Sequence, residues 1–525
     1  MNGPSPRPAA PRTATPGWPR AALLSLSDKS GAVAFARALA GGGTRLLASD
    51  GTAAHLREAG VEVTAVEQWT GFPEMLGGRV KTLHPHVHAP ILARRDRPED
   101  LAALAARGLE PIDLVAVTLY PFEERAAPLE DAGMIEEIDI GGVALLRAAA
   151  KNHEGVIVVH DVAQYTEVLE SLARGVTAED RRRWALGGFT RTARYDGAIA
   201  AELARRLGPP GEPPATHALV LERARTLRYG ENPHQVAALY ARGGTLHELS
   251  AWREGKELSY NNLLDLEAAV SLVWRFERPA CVIVKHNQPC GVACADTLED
   301  AYSLARDADS LSSFGGIVAF NRTLDEATAR ALHDQFVECI AFPGIEPAAD
   351  AALRGKKNAR LLRLTAADLA CADPWAVRLV GPWALLQRGE PGAPPPWRTV
   401  TRRAPDREES ESLRFAWEVC AAARSNAVVL ARGEELIGLG SGQTSRVDAV
   451  DVALMKARRA GHDVHGVVLA SDGFFPFADS VTHAAEAGIL AIVQPGGSVR
   501  DAEVIAEADR LGVAMVFTDR RTFRH

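Results

Sequence analysis

Cysteine is scarce in this 525-residue chain: Cys281, Cys290, Cys294, Cys339, Cys371 and Cys420 all lie in the second half, and none forms a Cys-x-x-Cys pair. A disulfide scaffold is excluded, and the thiols are expected to be reduced and held in the core. Long apolar runs are missing too. No segment offers the roughly 18 uninterrupted apolar residues of a membrane span, and the first residues lack the apolar heart of a signal peptide, so the expected location is the cytoplasm. Positive charge is not in excess: Lys+Arg 59 against Asp+Glu 67 leaves −8. Neither nucleic acid nor an anionic membrane is an expected partner. Gly 45 and Pro 31 fall well below the roughly 25–30% of a low-complexity chain, and no fixed-period repeat is evident. What is present is ordinary globular composition, 47% hydrophobic, with room for two to four domains at about 100–200 residues each.

Residues 1–20 are rich in Pro, Arg and Ala with almost nothing to bury, and read as a disordered tail. From Ala21 the pattern is βαβαβ: apolar Ala21–Leu26, helical Val33–Leu39 ended by Gly41-Gly42-Gly43, apolar Arg45–Ala48, then Val61–Val66. Leu114–Leu119 and Val156–Val159 extend it around a helical Val143–Ala150, which predicts an α/β domain on a mostly parallel sheet. The run Leu207–Ala215, with four prolines and two glycines, cannot continue a helix or a central strand, so a first domain is placed at 21–215 and a second at 216–525. Another break, Gly389–Pro396, divides the second into α/β halves of about 216–390 and 397–525, the first holding a long helical pattern from Leu324 to about Glu338.

Several clusters in the first domain carry chemistry. Ser49-Asp50-Gly51-Thr52 follows a strand and opens a helix, which suits either plain capping or a phosphate. Gly77–Pro85 brings two glycines together with Arg79, Lys81 and Thr82, a loop able to approach an anion. His84, His86 and His88 alternate at strand period and raise a zinc reading, but no carboxylate or cysteine completes a tetrahedral set, so no metal is expected. Tyr120 ends a strand, where open α/β sheets place ligand contacts. Asp139, ahead of Gly141-Gly142 and a helix ending in Lys151, suits either a cap or proton transfer.

In the second domain a buried-strand pattern opens into Lys285-His286 and a Pro/Gly turn, either a surface pair or a cation and a base for acyl transfer. Leu227–Gln235 and Ser259–Asp265 add donors and amides able to read a heterocycle's edge. Ser312–Gly316 and Ser471–Phe477 place aromatics beside glycine or proline, as core or as flanks for a flat ring. Gly438–Arg446 offers a weak Gly-x-Gly phosphate loop, on which alone a dinucleotide-dependent dehydrogenase reading would rest.

The strings Ser25–Lys29, Gly77–Pro85, Leu119–Phe122 and Ile138–His153, followed by those of the second domain, resemble the bifunctional formyltransferase/IMP cyclohydrolase family of purine biosynthesis over about residues 21–525. The resemblance implies an N-terminal methylglyoxal-synthase-like domain followed by a transformylase domain of two cytidine-deaminase-like halves. It implies formyl transfer from 10-formyltetrahydrofolate, as co-substrate, to aminoimidazole-carboxamide ribotide (AICAR), giving FAICAR and tetrahydrofolate. Dehydrative closure of FAICAR to IMP then follows. The implied cyclohydrolase cluster is Lys81, Tyr120, Asp139 and Lys151, with Ser25, Ser27, Lys29, Ser49, Gly51, Thr52, Arg79, Thr82, Gly141 and Gly142 around the nucleotide. The implied formyltransferase catalytic residues are Lys285, His286 and Asn426. Arg228, Tyr229, Asn261 and Arg521 would hold the nucleotide, and Phe314, Gly315, Phe474 and Pro476 the folate.

A homodimer with a shared formyltransferase site is also implied. The chain departs from the family pattern at Asp50 and Pro90, where glycine is usual, at Thr118, and at Gln288, both where asparagine is usual. A carboxylate at Asp50 repels a phosphate dianion unless it points away. These departures raise an alternative in which the first domain only binds nucleotide. A zinc deaminase is opposed by the Cys290/Cys294 spacing and by the lack of any His-x-Glu.

Overall fold

The aliphatic runs of the first two hundred residues become β1 (Ala21–Leu26), β2 (Arg45–Ala48), β3 (Thr64–Ala65), β4 (Leu114–Thr118) and β5 (Ile157–Val159). All pair in parallel, in the order β3-β2-β1-β4-β5. A parallel sheet covered on both faces selects continuous Leu, Val and Ala, and β1 and β4 are buried along nearly their whole length. The strand expected over Val61–Val66 shrinks to Thr64–Ala65 because the helix Val66–Thr70 begins at once. The computed structural model describes residues 14–73, 75–76, 79–126, 128–209, 212–242, 256–370, 375–389 and 396–525. It divides into two units, Met1–Val220 and Leu221–His525. Cys371, Gly77, Gly78 and most of the Gly389–Pro396 break lie outside the described residues. Among the described residues no helix is long and apolar enough to cross a membrane.

Residues 14–20 depart from the expected tail. The Trp18 indole covers Gly42, where a Cβ would come within 2.1 Å of the ring, and Arg20 pairs with Asp113 at 2.8 Å. Burial of one large ring outweighs the local proline content. A helix absent from the sequence expectations, Ala178–Leu207, follows a Thr177/Asp180 capping box and lies against β5. It carries charge on most faces, which hides its period. Its Gly187 and Gly188 permit the close approach: Cβ atoms there would meet His160 at 2.1 Å and Val158 at 3.0 Å.

The second unit opens with a two-stranded ribbon, β6 (Leu221–Leu227) and β7 (Ala237–Arg242). Its main sheet holds eleven strands. The first half supplies β8 (Ala280–Lys285), β9 (Gln288–Cys294), β10 (Ile317–Phe320), β11 (Cys339–Phe342) and β12 (Arg360–Arg363). A separate exposed hairpin, β13 (Trp375–Val380) and β14 (Trp383–Arg388), precedes the edge strand β15 (Arg398–Thr399). The second half supplies β16 (Val428–Arg432), β17 (Glu435–Gly440), β18 (Val468–Ser471), β19 (Ala491–Gln494) and β20 (Ala514–Phe517).

The sheet order β12-β11-β10-β8-β9-β17-β16-β18-β19-β20-β15 shows the same five-strand arrangement twice, running outward from a β9–β17 seam. Each half closes on a hairpin strand that needs glycine. A Cβ on Gly291 would stand 1.9 Å from the Ala305 carbonyl oxygen, and one on Gly440 1.9 Å from that of Ala449. Gly438 likewise faces the Ala453 oxygen at 2.4 Å, so Gly438 and Gly440 serve helix packing, while Gly442 has a φ of +67° and open space around it. The long helix expected from Leu324 to Glu338 stops at Glu326–Ala331, because Phe336 turns to accept a backbone bond from Gly315 and to set its ring against Phe314.

His84, His86 and His88 do not lie on a strand. His84 caps the helix Pro85–Leu92, its Nδ1 accepting from the His86 N–H at 3.1 Å and its ring meeting that of His86 edge-on at 4.8 Å, while within the helix His86 and His88, two apart, turn to different faces. Pro90 sits inside this helix and has no N–H for the His86 carbonyl. The Trp69 indole supplies the missing donor, Nε1 to His86 O at 2.9 Å. Trp69→Phe should therefore cost about 1–3 kcal/mol, the penalty of an unpartnered carbonyl, and less in a Pro90→Ala background where the backbone N–H returns. Urea unfolding of the four proteins of this cycle measures the difference.

Candidate active sites

Because β1, β2 and β4 run the same way, the segments that follow them emerge at one edge of the first sheet. After β1, the Ser25–Lys29 loop is tied to β4: the Thr118 hydroxyl accepts from the Asp28 N–H at 2.9 Å and donates to the Asp28 oxygen at 3.3 Å. After β2, the buried Thr52 hydroxyl accepts from the Leu26 N–H at 2.9 Å, so this group anchors the loop and does not stand free for a ligand. Ser49 leaves its helix uncapped and turns its hydroxyl toward Thr52 at 3.3 Å, while Gly51 is exposed. After β4, Tyr120 is exposed, with the Arg125 guanidinium 5.7 Å from its ring centre.

The Asp139 turn closes this edge. Its Oδ1 accepts from the Gly142 N–H at 2.7 Å, and its own N–H donates to the Tyr195 hydroxyl at 2.7 Å. Burial raises the Asp139 pKa, and the Gly142 bond opposes that rise. Both glycines are sterically required: a Cβ on Gly142 would lie 2.5 Å from Asp139 Oδ2, and one on Gly141 2.7 Å from the Thr82 hydroxyl. Thr82 therefore brings the 79–85 loop over the same turn, and Lys81 Nζ reaches Asp50 Oδ2 at 3.9 Å. The departure at Asp50 thus faces the lysine. Arg79 instead pairs with Glu136. An open depression of about 430 Å³ runs beside the turn, lined by His88, Asp139, Arg147 and Asp196 among others.

Lys151 is not brought to this cluster. It ends the helix Gly141–Lys151, which Asp139 precedes by two residues, and an 11-residue helix places its ends about 15 Å apart. Sequence spacing put the two residues in one motif, but the helical rise separates them.

In the second unit the chemistry gathers where β8 turns into β9. Lys285 Nζ donates to the Phe314 carbonyl at 2.7 Å, next to Gly315 at φ 74°. The exposed Phe314 ring lies tilted against Phe336 with centroids 5.3 Å apart. His286 and Asn287 form the turn itself. Gln288 joins this half to the other: its Oε1 accepts from the Arg424 N–H at 3.1 Å. Two residues on, Asn426 donates through Nδ2 to the Gln443 carbonyl at 2.9 Å and accepts at Oδ1 from Arg446 Nη2 at 2.7 Å. Arg446 is in turn ion-paired with Asp472, and both are buried.

The chain end closes over the same corner. The Thr522 N–H donates to the Asp472 carbonyl at 3.0 Å, and Arg521 lies 5.0 Å above the Phe523 ring. Phe474 is exposed, in the same loop as Pro476 and beside the wholly buried Phe475. On the other flank, Asn261 donates to the Glu231 carbonyl at 3.2 Å and so holds the loop in which Arg228 stacks on Tyr229 at 5.1 Å. Sequence reading assigned no role to Asp265, Arg446 or Asp472. Arg446 and Asp472 stand near the edges of the Gly438–Arg446 and Ser471–Phe477 segments, and only the fold shows that they form a buried pair behind Asn426.

Comparison with known proteins bears on both clusters. The family model described as "AICARFT/IMPCHase bienzyme" matches residues 149–456, and the one described as "MGS-like domain" matches residues 31–144. The chain belongs to the AICARFT/IMPCHase bienzyme family. Relatives named "Bifunctional purine biosynthesis protein PurH" are similar from end to end. That of Persephonella marina is 47% identical over 96% of this chain and 100% of its own length. That of Synechococcus elongatus is 48% identical over 97% and 100%, and that of a Cyanothece species 49% identical over 97% and 100%. Both clusters therefore lie in a chain that spans the bienzyme, with the first turn of the Asp139 helix inside the MGS-like match and the Lys285 turn and Asn426 inside the bienzyme match.

Removing one partner of the buried Arg446–Asp472 pair strands a charge, which typically costs about 3–5 kcal/mol, whereas replacing both by apolar residues of similar volume is often near neutral. Asp472→Leu alone should lower the urea midpoint of the second unit, and Asp472→Leu/Arg446→Met should recover most of it.

Proposed function

We propose that the chain catalyses two consecutive steps: formyl transfer from 10-formyltetrahydrofolate to the amine of AICAR, giving FAICAR and tetrahydrofolate, then closure of FAICAR to IMP with loss of water. The observation that carries the reading is the meeting of Lys285-His286 with Asn426 at one end of one sheet, joined through Gln288 and Arg424, in a chain of the bienzyme family. The alternative in which the first unit only binds nucleotide does not fit relatives that carry the bifunctional name and align over their full length.

In formyl transfer the amine attacks the formyl carbon and must shed a proton as the carbonyl oxygen gains charge. His286 takes that proton, and the Lys285 ammonium, at the strand end, stabilises the oxygen; the tetrahedral adduct then collapses, the bond from the formyl carbon to N10 of the folate breaks, and N10 leaves with the proton that His286 returns, as tetrahydrofolate. Asn426 offers an amide whose orientation Arg446 and the Gln443 carbonyl already fix. Arg228, Tyr229, Asn261 and Arg521 hold the nucleotide, while Phe314, Gly315, Phe474 and Pro476 flank the pterin. In ring closure the carboxamide nitrogen attacks the formyl carbon and water leaves. Asp139, with its pKa raised by burial, is suited to move the proton, and Lys81 and Tyr120 to steady the oxygen. Ser25, Ser27, Lys29, Ser49, Gly51, Arg79 and Thr82 surround the nucleotide, with Thr52 acting through the loop it anchors. Lys151, the fourth member that the family resemblance implies, stands about 15 Å along the helix from that turn and reaches the site only through its long side chain.

The formyl-transfer site is completed in a homodimer. The β13–β14 hairpin supports this: Leu379 is 80% and Trp383 70% exposed on a two-stranded ribbon, an arrangement that is marginal in water by itself. The compartment proposed is the cytoplasm, in keeping with free buried thiols, among which burial pushes Cys290 and Cys339 up to about 12.

Tetrahydrofolate followed spectroscopically and IMP quantified by chromatography test the two steps together. Lys285→Ala should block both products, and Lys81→Ala should leave FAICAR. Tetrahydrofolate without accelerated IMP formation would return the first unit to a binding role. On the acid side, closure with wild-type protein should fall as pH drops through the Asp139 pKa, which burial raises from its ordinary value, because Asp139 must be ionised to accept a proton. Asp139→Asn should abolish that limb. Sedimentation at assay concentration should show a dimer, and a fully active monomer would overturn the shared site.

A further inference from the structure

β8 and β9 pair so that Lys285 faces Gln288, which leaves His286 and Asn287 as a two-residue hairpin loop. Such loops match the twist of the sheet when both residues adopt positive φ, a conformation that favours Asn-Gly. Here φ is 53° at His286 and 61° at Asn287. The equivalent loop of the second half, between Arg432 and Glu435, begins instead with Gly433 at φ 57°. Asparagine tolerates the left-handed region, but a histidine there costs on the order of 1–2 kcal/mol. The first half therefore carries strain at the residue that the proposed reaction needs.

One side chain offsets that strain. Asp265 lies on the helix Tyr260–Val273, and its two carboxylate oxygens accept the two backbone N–H groups of the loop: Oδ1 from Asn287 at 2.5 Å and Oδ2 from His286 at 3.3 Å. The helix is itself firmly held. Ser259 and Asn262 form a capping box, Asn262 donates to Glu338 at 2.7 Å, and Leu266, Ala269, Val270 and Val273 are buried in the core that includes Val282 and Val284 of β8. Burial raises the Asp265 pKa while both N–H groups oppose the rise, as expected for a carboxylate withdrawn from water to serve these two donors.

We propose that Asp265 is a positioning residue for formyl transfer: by clamping both N–H groups of the His286-Asn287 turn, it fixes the backbone from which the imidazole reaches its substrate. The proposal rests on the formyl-transfer reading above. Asp265 touches neither substrate nor reacting atoms. Its effect passes through the φ of His286, and a displacement of about 1 Å at a reacting group can cost about 100-fold in rate.

The test uses the full chain as wild type, Asp265→Ala, Asp265→Asn and Asp265→Ala/Asn287→Gly. In Asp265→Ala, kcat for formyl transfer should fall about 10–100-fold with KM for AICAR nearly unchanged, while ring closure of supplied FAICAR by the same preparation stays at the wild-type rate. Asp265→Asn, which keeps one carbonyl acceptor, should fall less. Glycine is the preferred second residue of such a two-residue loop and favours the turn as a whole, so the double variant should regain part of the loss. Amide hydrogen exchange over residues 280–294, read by mass spectrometry, should accelerate in Asp265→Ala and slow again in the double variant. Wild-type kcat and exchange in Asp265→Ala would overturn the proposal. So would a lost kcat with unchanged exchange that glycine does not relieve. A wild-type protein that transfers no formyl group, but whose turn amides still loosen in Asp265→Ala, would instead overturn the formyl-transfer reading and leave only the clamp.

Discussion

The antiparallel meeting of β9 and β17 is the constraint on which the second unit depends. It is narrow: Glu435 pairs with Ala293, and the Cys294 N–H donates to the Glu434 carbonyl at 2.9 Å. Yet it joins two five-strand halves into one sheet and sets their direction, so that the β8–β9 turn and the loops before β16 and after β17 and β18 open on the same side. A parallel join would have placed Asn426 at the far end of the sheet from Lys285. The glycines at 291 and 440 let a helix lie close against each of the two hairpins beside this seam, and so guard its geometry on that face of the sheet.

On that frame the polar groups are organised by burial. Asn426 is fixed because Arg446 is fixed, and Arg446 because Asp472 stands in a core that leaves it no water. Gln288 and Arg424 tie the two halves at the level of the backbone, and the residues Thr522–Arg524 lie across the same corner, the Ser425 N–H donating to the Arg524 carbonyl at 2.9 Å. A chain of such contacts allows little independent movement, which is what a reaction between two bound molecules requires. The first unit reaches the same end more simply. Its strands are parallel, and every loop that follows a strand is delivered to the same edge.

Local irregularities come with local compensation. Pro90 removes a donor from its helix and Trp69 supplies one. Thr118 ties the Ser25–Lys29 loop to β4 through both of its hydrogen-bonding capacities. Asp50 introduces a carboxylate at an anion-favouring helix start, and Lys81 answers it at 3.9 Å, both side chains remaining partly open to water. His286 occupies a backbone conformation better suited to glycine, and Asp265 takes both of the turn's N–H groups. In each case the irregular residue and its partner lie far enough apart in sequence that neither announces the other.

Much was legible beforehand. Continuous aliphatic runs between turn residues marked the parallel strands, since a strand buried on both faces admits nothing else. The motif strings around Lys81, Tyr120, Asp139, Lys285 and Asn426 carried the family, because chemistry-bearing residues keep their order along the chain. What the sequence could not show was distance. Lys151 and Asp139 share one motif but occupy opposite ends of a helix, while Asp265 and His286, or Asp472 and Asn426, share no motif and stand side by side. Trp18 looked like part of a tail until a glycine 24 positions away gave its ring a surface to cover. Local pattern decides which elements form, through period and turn chemistry acting over a few residues. Only tertiary packing decides which elements meet, because that depends on burial and hydrogen bonding summed over the whole core.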